Sequence, residues 1–184
     1  DDAQWLIRVV ENLLSITRIE NGTMHLQMEP ELLEDVFQEA LAHIDRRSAE
    51  HTIRVQLDDD LLMARMDARL IVQVIINIIN NAIQYTQKGS CITLSACRKG
   101  EMAEVSIADD GPGIPPEVRE HLFDLFYTAE QGRADSRRGL GLGLNLCRSI
   151  VSAHGGCISV SENRPKGSVF AFTLPLEEAR IDHV

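Results

Sequence analysis

The stretch Gln73-Val-Ile-Ile-Asn77-Ile-Ile-Asn-Asn81-Ala-Ile-Gln84-Tyr85 decides how the rest of the chain is read. Placed on a helix at about 100° per residue, Ile71, Val72, Ile75, Ile76, Ile78, Ile79, Ala82 and Ile83 cover one broad arc. Gln73, Asn77, Asn81 and Gln84 gather on the opposite side, with Asn80 at its edge. A solvent-facing helix usually carries Lys and Glu there, and this one carries uncharged amides. Carboxamides can ligate a hard cation and can donate to phosphate without adding charge. Alone, the stripe is equally a solvated helix face, and the chain around it has to decide.

With 184 residues, 44% hydrophobic and 25% charged, the chain is large enough for one well-packed domain and a small extra element. The net charge of −10 argues against a nucleic-acid backbone or an anionic membrane surface as partner for the body as a whole. Cys91, Cys97, Cys147 and Cys157 form no CxxC and have no histidines clustered beside them. They read as reduced, mostly buried thiols of a cytosolic protein. No apolar run reaches the ~18 residues of a membrane span. The chain starts without Met and inside a helical pattern, so a piece of a longer protein is expected.

Outward from the central stretch, residues 1–20 repeat Trp5, Val9, Leu13 and Ile16, widened by Leu6, Val10 and Ile19, and predict a helix ended by Asn21-Gly22. Such a stripe needs either the following domain or another helix to cover it. Residues 24–29 alternate as a strand, Pro30 opens a helix to about 49, and strands are expected at 52–57 and 63–66. Asp58-Asp59-Asp60 reads as a solvated turn, and Asp67 as the side-chain cap of the amide helix. Hairpins follow at 91–109 and 158–174, with a short helix from Pro115 to about Leu122 and another from Gly139 to His154. Unequal runs of helix and strand predict an α+β fold: a two-layer sandwich of a mixed sheet with helices on one face.

Two glycine motifs carry chemistry. Asp109-Asp110-Gly111-Pro112-Gly113 ends a strand in which Val105, Ile107 and Asp109 share a face, so Asp109 points with the apolar residues. A buried carboxylate is costly unless bonded, and an exocyclic amine such as adenine N6 would satisfy it. Read alone, the motif is equally a plain Asp-Gly turn. Gly139-x-Gly141-x-Gly143 precedes a helix whose free amides form an anion site. It fits neither a phosphate loop ending in Gly-Lys-Ser/Thr nor a dinucleotide fingerprint.

The order of amide helix, Asp-x-Gly-x-Gly, Phe123-Asp-Leu-Phe126, polar loop 127–138 and Gly-x-Gly-x-Gly closely resembles the catalytic and ATP-binding domain of sensor histidine kinases, within the superfamily that includes gyrase, HSP90 and MutL ATPases. The run Ala3-Gln-Trp-Leu-Ile-Arg8 with Glu11 to Arg18 resembles the potassium-responsive (Kdp) type. The resemblance implies a fold of the Bergerat type, with residues 1–22 as part of a dimerisation hairpin, 23–176 as the catalytic and ATP-binding domain and 177–184 as a tail. By position it implies that Asn77 and Asn81 serve catalysis and hold Mg2+, and that Asn81, Tyr85, Asp109, Gly111, Gly113, Gly139, Gly141, Gly143 and Leu144 bind ATP. Phe123 and Phe126 would anchor the ATP lid at 127–138, although both read equally as core. Arg133, Arg137 and Arg138 read first as solvated charges. Gln84 stands where the family pattern has a phosphate-touching Lys, which shifts interest to Lys88 or a lid Arg.

At the position of Asn77 the related hydrolases carry a Glu base, and an amide cannot abstract a proton. The resemblance therefore implies transfer of the γ-phosphate to a His. None of His25, His43, His51, His121, His154 and His183 has the family's His-Glu-x-x-Arg/Thr-Pro context, so the acceptor is expected outside these residues, on the dimerisation helix of the kinase or of a second kinase chain. A response regulator would receive the phosphate. These residues would be cytoplasmic, in a full-length protein anchored in the membrane. A serine kinase of the anti-sigma type and a nucleotide-binding scaffold without transfer are the alternatives.

Overall fold

A computed structural model describes residues 2–127 and 143–177, with the side chains of Asp2 and Trp5 outside that description. Its centre is the amide helix α3, Ala68–Tyr85. Leu70, Ile71, Val74, Ile75, Ile78, Ile79, Ala82 and Ile83 are all buried. The arc matches the expectation except at four places: Val72 and Ile76 are only half-buried, and Leu70 and Val74 are buried as well. Val74 is covered because α3 is flanked by two helices, α2 (Leu33–Leu41) and α5 (Gly143–Ala153).

Beneath these helices lies one seven-stranded mixed sheet in the order β1-β3-β7-β5-β4-β2, with β6 also pairing β7. The strands are β1 (Glu29–Leu32), β2 (Thr52–Leu57), β3 (Met63–Met66), β4 (Cys91–Lys99), β5 (Met102–Asp109), β6 (Ile158–Glu162) and β7 (Ser168–Glu177). Only β2 and β4 run parallel. Period-two alternation sends Ile92, Leu94, Ala96, Ala103, Val105, Ile107, Phe170, Phe172 and Leu174 to the helix side, where all are buried. The expected two-layer α+β sandwich is the observed architecture.

Several boundaries differ from the sequence reading. Residues 23–28 are not a strand, because Gln27 N–H is taken by the Asp67 carboxylate and no ladder forms there. The strand comes later, at 29–32, and Pro30 lies in it opposite Arg65. Proline is tolerated there because β1 is an edge strand. The helix that follows is shorter than expected and gives way to a 3-10 turn, Arg46–Glu50. The short helix α4 spans only Pro116–Arg119. Of the four thiols, Cys147 alone is buried, Cys91 and Cys97 are intermediate and Cys157 is exposed. Among the described residues no helix is long and apolar enough to cross a membrane.

The first helix, α1 (Asp2–Glu20), packs on α5. Its apolar stripe splits in two. Ile16 is buried, with Val9 and Ile19 packed against the core, whereas Leu6, Ile7, Val10, Leu13 and Leu14 are exposed. The following domain thus covers one side of the stripe, and the other side is exposed.

Asp67 does not cap α3 through its side chain. Its carboxylate accepts from Gln27 N–H at 3.1 Å and from the Arg69 guanidinium at 3.2 Å, while its own N–H donates to His154 Nε2 at 3.0 Å. His154 Nδ1–H donates to the Ile150 carbonyl at 2.7 Å. The ring is therefore neutral and welds the end of α5 to the start of α3. Burial holds its pKa below the ordinary 6.5. A group whose charged form is favoured by unfolding contributes full stability above its unfolded pKa and loses it as pH falls through that value. Thermal unfolding between about pH 7 and pH 5 should show the chain losing stability, and His154→Gln, which keeps an acceptor for Asp67 N–H without titrating, should show a flatter profile. In the core, Ile75→Ala should cost about 2–5 kcal/mol in denaturant unfolding.

Candidate functional site

Asp109, the last residue of β5, is inward-facing and 8% exposed, as the alternation with Val105 and Ile107 requires. Its Oδ1 accepts from Gly111 N–H at 2.9 Å and Ser168 N–H at 3.3 Å. No partner for Oδ2 is present among the described residues. Burial raises the pKa of this carboxyl above the ordinary 3.8, and the two amides offset only part of the rise. The floor of the site is thus a carboxylate with one oxygen held by backbone and the other free to accept.

The glycines around it are steric requirements. A Cβ at Gly111 would stand 2.7 Å from Thr86 Cγ2 and 3.0 Å from Asp109 Oδ1. Gly113 has φ +80°, in the left-handed region that favours glycine. A side chain at Gly167 would run into the Asp109 carbonyl. That carbonyl accepts from Asn163 Nδ2 at 2.8 Å. In the sequence Asn163, Gly167 and Ser168 carry no signal beyond belonging to the hairpin at 158–174. They join the site through the β5–β7 pairing, and Ser168 meets a carboxylate 59 residues away. Thr86 was missed too. Its hydroxyl donates to the Ala82 carbonyl at 2.7 Å and contacts His51 Nε2 at 2.9 Å, which fixes its methyl beside Gly111.

The polar edge of α3 forms the wall next to this floor. Asn77, Asn81 and Gln84 are half-buried, and Tyr85 is 51% exposed. Asn80 plays a different part: its Oδ1 accepts from Asp45 N–H at 2.8 Å and holds the loop after α2. Asn77 Nδ2 is buried with no hydrogen-bond partner. It lies against the Cys147 thiol, which burial pushes up to about 12. Lys88 pairs with Glu50 at 2.8 Å, so its charge is already engaged.

On the far side, α5 begins at Gly143, with Leu144 buried. Asn145, another residue without a signal in the sequence, donates through Nδ2 to the Phe123 carbonyl at 2.9 Å. Phe123 meets Phe170 edge-on, with ring centroids 6.2 Å apart, and belongs with the core. Phe126 is exposed, at φ +63°. The two aromatics of that segment therefore part company. Gly139, Gly141, Arg133, Arg137, Arg138 and positions 128–138 of the lid lie outside the described residues. The structure thus brings Asp109, Gly111 and Gly113 together and sets the C-terminal end of α3, the helix that carries Asn77 and Asn81, beside Gly111 through Thr86. Among the described residues no group of three His, Cys, Asp or Glu could hold a metal.

The pattern of histidine kinase-, DNA gyrase B- and HSP90-like ATPases matches residues 66–178. Over 177 residues the chain is 40% identical to the sensor protein KdpD of Clostridium acetobutylicum, covering 96% of this chain and 20% of that protein. Full-length ShkA in complex with AMPPNP superposes with a TM-score of 0.80 at 25% identity, over 95% of this chain and 36% of that one. The histidine kinase ThkA in complex with the response regulator protein TrrA gives 0.70 at 27% identity, over 93% of this chain and 49% of that one. The chain spans a minor part of these longer proteins. Its fold, its half-buried amide wall and a family match across more than half of its length agree, and the chain belongs to the histidine kinase-, DNA gyrase B- and HSP90-like ATPase family, whose domains bind ATP.

Proposed function

We propose that this chain is the ATP-binding catalytic part of a two-component sensor histidine kinase of the Kdp type, and that it presents the γ-phosphate of ATP to a His outside residues 1–184. The observation that carries the reading is the inward-facing carboxylate of Asp109, whose Oδ1 is held by backbone amides and whose Oδ2 has no partner among the described residues, beside Gly111 and Gly113. An adenine N6 amine meets that acceptor, while Gly111 and Gly113 let the base lie close to the backbone. Tyr85, exposed at the end of α3, would cover the base. Asn77 and Asn81 line the route from base to phosphates. The start of α5 at Gly143 and Leu144 offers amides to the phosphate oxygens, and Gly139 and Gly141 of the same glycine motif would bind there too.

The amide wall fits Mg2+, because carboxamide oxygens are hard donors and neither Asn77 nor Asn81 gives its side-chain oxygen to a hydrogen-bond donor among the described residues. When bound, the cation neutralises charge on the triphosphate. The residues of the chain bind and orient the nucleotide, and the carboxamide of Asn77 cannot abstract a proton from water. This supports transfer over hydrolysis. ShkA's complex with AMPPNP and ThkA's complex with a response regulator support nucleotide binding and onward transfer as the working context of this chain. Residues 1–22 would contribute to dimerisation through the exposed face of α1 and residues 23–176 would be the catalytic domain; Glu177, expected to open the tail, is instead the last residue of β7, paired with Met63, so the tail would start after it. The complete protein would be membrane-anchored, with this part in the cytoplasm.

Calorimetric titration with ATP tests the site. Asp109→Asn should bind ATP at least about tenfold more weakly, because a hydrogen bond to a charged group is worth ~1.5–3 kcal/mol. Asn81→Ala should weaken binding when Mg2+ is present. If both variants bind ATP like the parent, the site is wrong. The acceptor is lost as Asp109 gains a proton, and its raised pKa means that affinity begins to fall at a pH above the ordinary 3.8.

A further inference from the structure

Cys147 lies on the face of α5 that packs against α3, and none of its surface reaches solvent. Its S–H donates to the Val74 carbonyl at 3.8 Å. Val74 and Asn77 are three residues apart on α3 and therefore stack on one side of that helix. The sulfur that reaches Val74 is therefore next to the Asn77 side chain, whose Nδ2 is buried on that side without a closed hydrogen bond. A thiol has one proton, and here it is spent on Val74. What the sulfur presents to Asn77 is its lone pairs, a weak acceptor.

The two ends of a carboxamide differ in sign. With Nδ2 turned inward, a donor meets the sulfur lone pairs. With Oδ1 turned inward, two acceptors would face each other in a dry seam. The observed arrangement has Nδ2 buried, and that atom makes no closed hydrogen bond. The thiol therefore steers the amide without anchoring it. Inward Nδ2 leaves Oδ1 as the end that faces the pocket, and a hard cation takes oxygen, not amide nitrogen.

We infer that Cys147 is a positioning residue for the cation site: its thiol, engaged with Val74, keeps Asn77 turned with nitrogen inward and carbonyl oxygen toward the bound nucleotide. This rests on the proposal that Asn77 ligates the cation. It assigns no catalytic step to Cys147, which touches neither nucleotide nor metal.

Three substitutions separate steering from packing. Cys147→Val is close in size and has no lone pairs, Cys147→Ala removes the sulfur without adding bulk, and Cys147→Ser restores both donor and acceptor. Each is titrated with ATP in Mg2+ and with ATP in EDTA, alongside Asn77→Ala and with folding checked by thermal melt. Val and Ala should lower affinity in Mg2+ roughly tenfold, the lower end of what losing an outer partner costs a metal site, and should leave binding in EDTA unchanged. Ser should bind Mg2+ and ATP as the parent does. Equal losses in Mg2+ and EDTA, or a Val variant indistinguishable from the parent, would overturn the inference. If Asn77→Ala itself binds Mg2+ and ATP like the parent, the cation-site reading falls and this inference falls with it. If Asn77→Ala loses affinity while the Cys147 variants do not, only the role of Cys147 is refuted.

Discussion

The inward carboxylate of Asp109 is the constraint around which the site is arranged. Sheet alternation sends it among Val105, Ile107 and the underside of the helices, where an unpartnered charge is costly. Two backbone amides, from Gly111 and Ser168, hold one oxygen and leave the other available. Each amide makes its own demand on the chain. Gly111 must lack a side chain because Thr86 stands beside it, and Gly167 must lack one because the Asp109 carbonyl does. The pocket floor is thus a consequence of keeping one buried carboxylate partly satisfied.

The amide wall has the same double character. Helix α3 is core on one side and ligand-facing on the other, so the residues that hold the two layers together also set the position of Asn77 and Asn81. Hydrophobic burial on the inner arc is worth about 1.5–3 kcal/mol for each large aliphatic side chain, far more than any single polar contact on the outer edge. The wall is therefore rigid by virtue of the core. The polar edge is not uniform in function. Asn80 is consumed by Asp45 N–H, while its neighbour Asn81 remains on the pocket side.

Local pattern made much of this legible. The arc of Ile and Val, the hairpins and the inward direction of Asp109 all follow from helix and strand periods, which act within a few residues. Errors fell where a non-local bond overrode the period. The alternation of Met24, Leu26 and Met28 looks like a strand, but Gln27 N–H is claimed by a carboxylate 40 residues on. Asp67 has the chemistry of a cap, and Gln27 and Arg69 take its carboxylate instead. The stripe of α1 is continuous in sequence and divided in space, since α5 covers only the side carrying Val9, Ile16 and Ile19.

By itself the sequence determined the types of element, the uncharged face of α3 and the presence of an acid at the end of an inward-facing strand register, because each is set by spacing along the chain. Only the tertiary structure decided which groups complete the site. Ser168, Gly167 and Asn163 meet Asp109 through strand pairing, Thr86 meets Gly111 through the end of α3, and Cys147 meets Asn77 through helix packing. Contacts between distant segments leave no periodic trace in either one. They arise when two surfaces are pressed together, and the polar atoms that remain unpaired after that packing are the ones a ligand can use.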